Sequence, residues 1–145
     1  MYFVDREKIE TILQFIEQQL TLLEKTSKWE SVIEKAALER VCHTLIEGIL
    51  DVGNAMIDGF IMRDPGSYED IIDILMDEKV VSEKVGAGLK AVIFYRKSLV
   101  QEYTHVNQRD VQAALSQYRE ELRSFAPNVR DYLNNQLGPV SAFKN

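Results

Sequence analysis

The chain has 145 residues, 46% of them apolar, enough for one globular domain over residues 1–145 whose core buries roughly two-thirds of the unfolded surface. Charged residues make up 28%, and seven glycines and three prolines are too few for a collagen-like, disordered or low-complexity chain. Seventeen Lys and Arg against 23 Asp and Glu leave a net charge of −6, which opposes a broad nucleic-acid surface because phosphate binding needs clustered cations. A small local site is still allowed.

The single cysteine, Cys42, cannot form an internal disulfide, so nothing asks for an oxidising compartment. The opening Met1-Tyr2-Phe3-Val4-Asp5-Arg6 leads into a polar, helix-like run instead of the apolar stretch of a signal peptide, and no run is long and apolar enough for a membrane span. The sequence therefore predicts a cytoplasmic protein with no membrane association.

Three segments share one apolar template with the spacing of an amphipathic helix. The first is Ile9, Ile12, Leu13, Ile16, Leu20 and Leu23. A long helix follows, from about Glu30 to Asp58, whose apolar residues (Leu38, Val41, Leu45, Ile46, Ile49, Val52, Met56, Ile57) cover about half its circumference. This marks it as the central helix of a bundle. Its other face carries Arg40, His43, Glu47, Asp51, Asn54 and Asp58.

Gly59 and then Arg63-Asp64-Pro65-Gly66 end that helix, and Ser67-Tyr68-Glu69-Asp70 has the Ser-x-x-acid spacing that caps a short helix reaching about Asp77. Ser82 is a plausible N-cap for the next template, Leu89, Val92, Ile93, Arg96, Val100 and Tyr103, although Gly86 and Gly88 weaken its first turns. Asn107 caps the last template, Val111, Ala114, Leu115, Tyr118, Leu122 and Phe125. Pro127 is expected to stop or kink that helix before a final short one ending near Gly138-Pro139. The apolar tail Val140-Ser141-Ala142-Phe143 either docks back on the bundle or shares in a dimer interface. No strand pattern competes, so the expected fold is an all-α antiparallel bundle of four main helices plus short ones.

Arg96 is the most informative position, because it places a guanidinium in an apolar slot and that group needs an anion. The anion is either a carboxylate of the central helix, Glu47, Asp51 or Asp58, or a substrate phosphate gripped by the planar fork. Tyr103, seven residues and two turns on, shares the face of Arg96; as a generic helical tyrosine it would be an amphipathic core residue with a wet hydroxyl. His105 is half a turn out of phase and reaches the same site only if the helix ends first. His43, Glu47 and Asp51 have a spacing that could present ligands to a metal, but such triples are common on solvated helix faces, and no metal or cofactor is expected. Cys42, at the apolar edge, reads as a small buried hydrophobe.

At Tyr95-Arg96-Lys97-Ser98-Leu99-Val100-Gln101-Glu102-Tyr103 the chain resembles the HepT-like ribonuclease toxin family, within the HEPN superfamily of helical bundles. The family pattern is an Arg, four to six residues, then a His, often with a Tyr two positions later. Arg40, Leu45-Ile46-Glu47, Asp51-Val52-Gly53-Asn54, Pro65-Gly66-Ser67-Tyr68-Glu69-Asp70 and Leu75 follow the family's order as well. The resemblance implies a HEPN-like homodimer with its active cleft at the two-fold interface, metal-independent RNA cleavage, and a nucleotidyltransferase antitoxin as partner. Arg96 then matches the catalytic arginine and Tyr103 the tyrosine that the antitoxin modifies with AMP.

Gln101 stands at the position of the family histidine, and no His occurs from 101 to 103. An amide cannot act as the general base, and its loss typically costs about 10²–10⁴-fold in rate. His105 or His43 of either copy are the available substitutes. Two functions follow: a ribonuclease toxin working through another base, or a catalytically inactive dimeric module that binds a nucleotide, RNA or protein.

Overall fold

A computed structural model describes residues 3–138, among which there are seven α-helices and no strand. Helix α1 (Arg6–Lys25) starts where the Asp5 side chain accepts the Lys8 amide, and it buries Ile9, Leu13, Ile16 and Leu20. Helix α2 (Val32–Gly59) opens on a reciprocal capping box between Ser31 and Glu34 and supplies the largest share of the core. Helices α3 (Tyr68–Asp77), α4 (Glu83–Ile93) and α6 (Gln108–Gln117) are capped by the side chains of Ser67, Ser82 and Asn107. Each such cap satisfies an otherwise orphaned amide and contributes about 1 kcal/mol. Helix α5 (Arg96–Val100) and a 3₁₀ turn (Tyr103–His105) lie between α4 and α6, and α7 (Arg119–Leu137) closes the described chain.

Long helices meet in antiparallel register. Going up α1, Arg6 reaches Asn134, Glu10 and Glu17 reach Arg130, and Glu24 reaches Arg123, descending α7. Gly48 lies against Ile16 and Gly59 against Val4, so α2 also runs opposite to α1. Gly88 of α4 faces the Cβ and Cγ of Glu121, where an added Cβ would lie at 2.5 and 2.6 Å. The glycine that weakens α4 as a helix is thus the residue that lets α7 approach. The buried side chains form one hydrophobic cluster contributed by every α-helix. None of the helices among the described residues is long and apolar enough to cross a membrane.

Three expectations are corrected. The template from Leu89 to Tyr103 is not one helix: the Tyr95 amide bonds Val92, three residues back, and this tightened turn separates α4 from α5. The turn leaves Phe94 outside and ends the buried stripe at Leu99. The template from Val111 to Phe125 divides at Tyr118, where α4 comes against Tyr118 and Glu121. Its apolar residues still face inward, with Val111, Ala114, Leu115, Leu122 and Phe125 all buried. Pro127 does not stop the helix. It is exposed within α7, and the burial of Phe125, Ala126 and Val129 on the opposite face holds the helix through it, offsetting a cost of about 3 kcal/mol for an interior proline. The expectation for the tail at residues 140–143 lies outside the described residues.

Arg130 fastens α7 to α1 by donating to both Glu10 and Glu17 at 2.8–3.0 Å. Hydrogen bonding from Arg130 holds both carboxyl groups below the ordinary glutamate value of 4.5. A carboxylate whose pKa is lowered by folding adds stability above its unfolded value and loses it as pH falls through the lower folded value. The melting-temperature advantage of wild type over Arg130→Met should therefore be constant near neutrality and shrink as the pH is taken below 4.5, read by circular dichroism melts. An advantage that did not change with pH would count against the pairing.

Candidate active site

The turn at Phe94–Tyr95 sets Arg96 over the middle of α2. There the Arg96 Nε–H donates to Glu47 Oε1 at 2.9 Å, with the two side chains 20% and 31% exposed. Of the three carboxylates that spacing allowed, Glu47 is the partner. The guanidinium carbon lies 4.2 Å from the centroid of the Tyr68 ring, the first residue of α3. A cation so placed is attracted by the ring's electron-rich face. One edge of the guanidinium is held by a carboxylate and one face by an aromatic ring, while the two Nη groups donate to nothing among the described residues. Those groups form the half of the fork that grips a phosphate bidentately.

Glu47 Oε1 also contacts His43 Nε2 at 3.3 Å, one turn back on α2. His43, Glu47 and Arg96 therefore share a single carboxylate oxygen. Asp51, which spacing placed beside them, is exposed and has no side-chain partner among the described residues. Nor do the described residues contain three or more His, Cys, Asp or Glu side chains grouped to hold a metal ion. Cys42, next to His43, is buried, and burial pushes its thiol up to about 12, which leaves no thiolate for nucleophilic chemistry at neutral pH.

The remaining sequence candidates lie past the end of α5. Gln101 is its exposed C-cap, bonded through its backbone amide to Lys97. Tyr103 is 68% exposed in the 3₁₀ turn. Because the helix stops at Val100, Tyr103 does not share the face of Arg96 by helical periodicity, which corrects the two-turn geometry. The same stop removes the phase argument against His105, although His105 makes no ion pair or side-chain hydrogen bond among the described residues. Sequence reasoning missed Tyr68 as a member of the site. Its signals, a position directly after the cap Ser67 and a place in the family-like run from Pro65 to Asp70, say where a helix starts and nothing of what its ring covers.

An arginine fork held over the central helix of an all-α bundle, followed by a polar segment ending in an exposed tyrosine, defines a class. The chain matches the family described as ribonuclease HepT-like over residues 6–129, and it belongs to that family. Its resemblance extends to the YutE type: it is 55% identical over 144 residues to YutE of Bacillus subtilis (strain 168), a protein described as a candidate RNase, covering 99% of this chain and 100% of that one. The solved structure of YutE, described as a cytosolic protein of unknown function, superposes with a TM-score of 0.96 over the same shares of both chains. A solved structure described as a toxin–antitoxin with AMP-PNP shares the fold at a TM-score of 0.71 and 14% identity, covering 83% of this chain and 96% of that one.

Proposed function

We propose that this chain is a metal-independent RNA endonuclease of the HepT type, working in a toxin–antitoxin pair and restrained by a nucleotidyltransferase antitoxin. The observation that carries the reading is the fixed guanidinium of Arg96, whose Nη edge is left for an anion. An ion pair serving stability alone would gain from spending the whole fork on carboxylates, as Arg130 does with Glu10 and Glu17. Here one carboxylate takes only Nε. The rest of the fork is preorganised for charge that grows on a phosphodiester during attack by the ribose 2′-hydroxyl.

In this reading two copies of the chain pair to bring two Arg96 side chains to one groove, as the family resemblance implies. Phe94, exposed two positions before Arg96 in the chain, and the half-exposed Tyr68 ring at the fork offer faces on which unpaired bases stack. Tyr103, exposed and without a side-chain partner among the described residues, is the position at which the antitoxin adds AMP. A bulky anionic adduct there would repel RNA from the groove.

The second reading, a binding module that has lost its chemistry, is favoured by Gln101, whose amide does not titrate. Cleavage of labelled single-stranded and structured RNA in the presence of EDTA separates the two. Wild type is expected to cleave. If it is silent while Gln101→His cleaves, the groove is intact but lacks its base, and binding is the present function.

A further inference from the structure

We infer that His43, oriented by Glu47, is the proton acceptor of this site and takes the part that Gln101 cannot. The inference rests on the reading of Arg96 as the phosphate grip. The chain contains two histidines, and imidazole is the side chain whose ordinary titration range spans neutrality. His105 lies exposed in a 3₁₀ turn with nothing to orient its ring among the described residues. His43 stands on the longest helix, 31% exposed, with Nε2 on Glu47 Oε1 at 3.3 Å. That oxygen is the one that accepts from Arg96 Nε at 2.9 Å, so the imidazole and the guanidinium meet at one carboxylate oxygen.

Glu47 Oε1, 3.3 Å from His43 Nε2, forms an ion pair with the ring once it is protonated. A carboxylate at that distance stabilises the imidazolium, as in hydrolase triads. The ribose 2′-hydroxyl proton passes to the His43 imidazole as the O2′–P bond forms. The P–O5′ bond breaks, the departing 5′-oxygen takes a proton from water, and the resulting hydroxide is neutralised by the proton that His43 releases. The products are a 2′,3′-cyclic phosphate and a 5′-hydroxyl, with Arg96 Nη groups bearing the phosphate charge throughout. Glu47 is a positioning residue, acting through both neighbours.

The test is cleavage of a labelled RNA oligonucleotide in EDTA by wild type, His43→Ala, His43→Gln and Arg96→Ala, with and without added imidazole. Binding is measured on the same oligonucleotide carrying 2′-O-methyl groups. Removal of the base is expected to slow cleavage by about 10²–10⁴-fold while binding holds, and imidazole should restore part of the His43→Ala rate. His43→Gln keeps a polar side chain beside Glu47 and covers the case in which the alanine variant is unstable. Glu47→Gln, whose amide oxygen still accepts from Arg96 but cannot balance an imidazolium, should lower kcat more than it raises KM. Wild-type rates in both His43 variants, or a loss that imidazole does not relieve, overturn the inference. In either case an inactive Arg96→Ala shows that the arginine site itself stands. A wild type that cleaves no RNA overturns both.

Discussion

Replacing Arg96 with alanine should lower RNA cleavage by at least about 10²–10³-fold, the typical effect of removing one preorganised donor from a developing oxyanion. Arg96→Lys should recover little of it. An ammonium is a point charge with no planar fork, so it cannot bond Glu47 at one edge, lie over the Tyr68 ring and still present two parallel donors to a phosphate. The stability of the alanine variant should change little, because Arg96 is a half-buried side chain whose pairing competes with water. Glu47 keeps His43 as a neighbour when the guanidinium is gone. Initial rates with a labelled RNA, beside thermal melts of the same preparations, check both halves. Retention of activity in Arg96→Ala would move the chemistry elsewhere.

Phe125→Ala should be the most damaging of the simple core truncations. Phe125 is fully buried in α7, two residues before the internal proline. Deleting its ring removes the transfer energy of the side chain and leaves a cavity, together costing about 3–5 kcal/mol. That is a large part of the roughly 5–15 kcal/mol that holds a typical domain folded. The position adds a second reason. Pro127 removes a helix hydrogen bond, and the packing of Phe125, Ala126 and Val129 is what carries α7 past it. Loss of the ring should shift the urea midpoint strongly and fray the C-terminal half of α7, read by amide exchange at residues 128–137. Unchanged protection there would show that the helix holds without this anchor.

Much of the frame is legible before any packing is known. The stripe Ile9, Leu13, Ile16 and Leu20 is buried as its period requires, and Ser67, Ser82 and Asn107 cap the helices they precede. These are local properties, set by the 3.6-residue turn and by side-chain oxygens reaching amides within one turn. The signals for the family are equally local: Arg96, Gln101 and Tyr103 lie within eight positions of one another. The capping box of Ser31 and Glu34 is local in the same way, a Ser-x-x-Glu spacing at the start of α2.

What the chain alone could not decide is where helices bend and which groups meet. A period of apolar residues continues across a bend if both halves face one core, so the break at Tyr118 leaves no trace in the stripe, while beyond Phe94–Tyr95 the apolar spacing runs on although burial stops at Leu99. A proline is read as a stop because it costs a hydrogen bond, yet burial on the opposite face outweighs that cost in α7. Spacing narrowed the partner of Arg96 to three carboxylates of one helix face, and only the seating of α5 on α2 selected Glu47. Tyr68 comes under the guanidinium from another helix, 28 positions earlier in the chain. Apolar period and capping residues are enough for most helix starts, for most of the buried stripes and for the family. His43 and Glu47 are neighbours one turn apart on α2, a local matter; that Arg96 and Tyr68 join them follows only from the packing of α5 and α3 against α2, which brings together residues far apart in the chain.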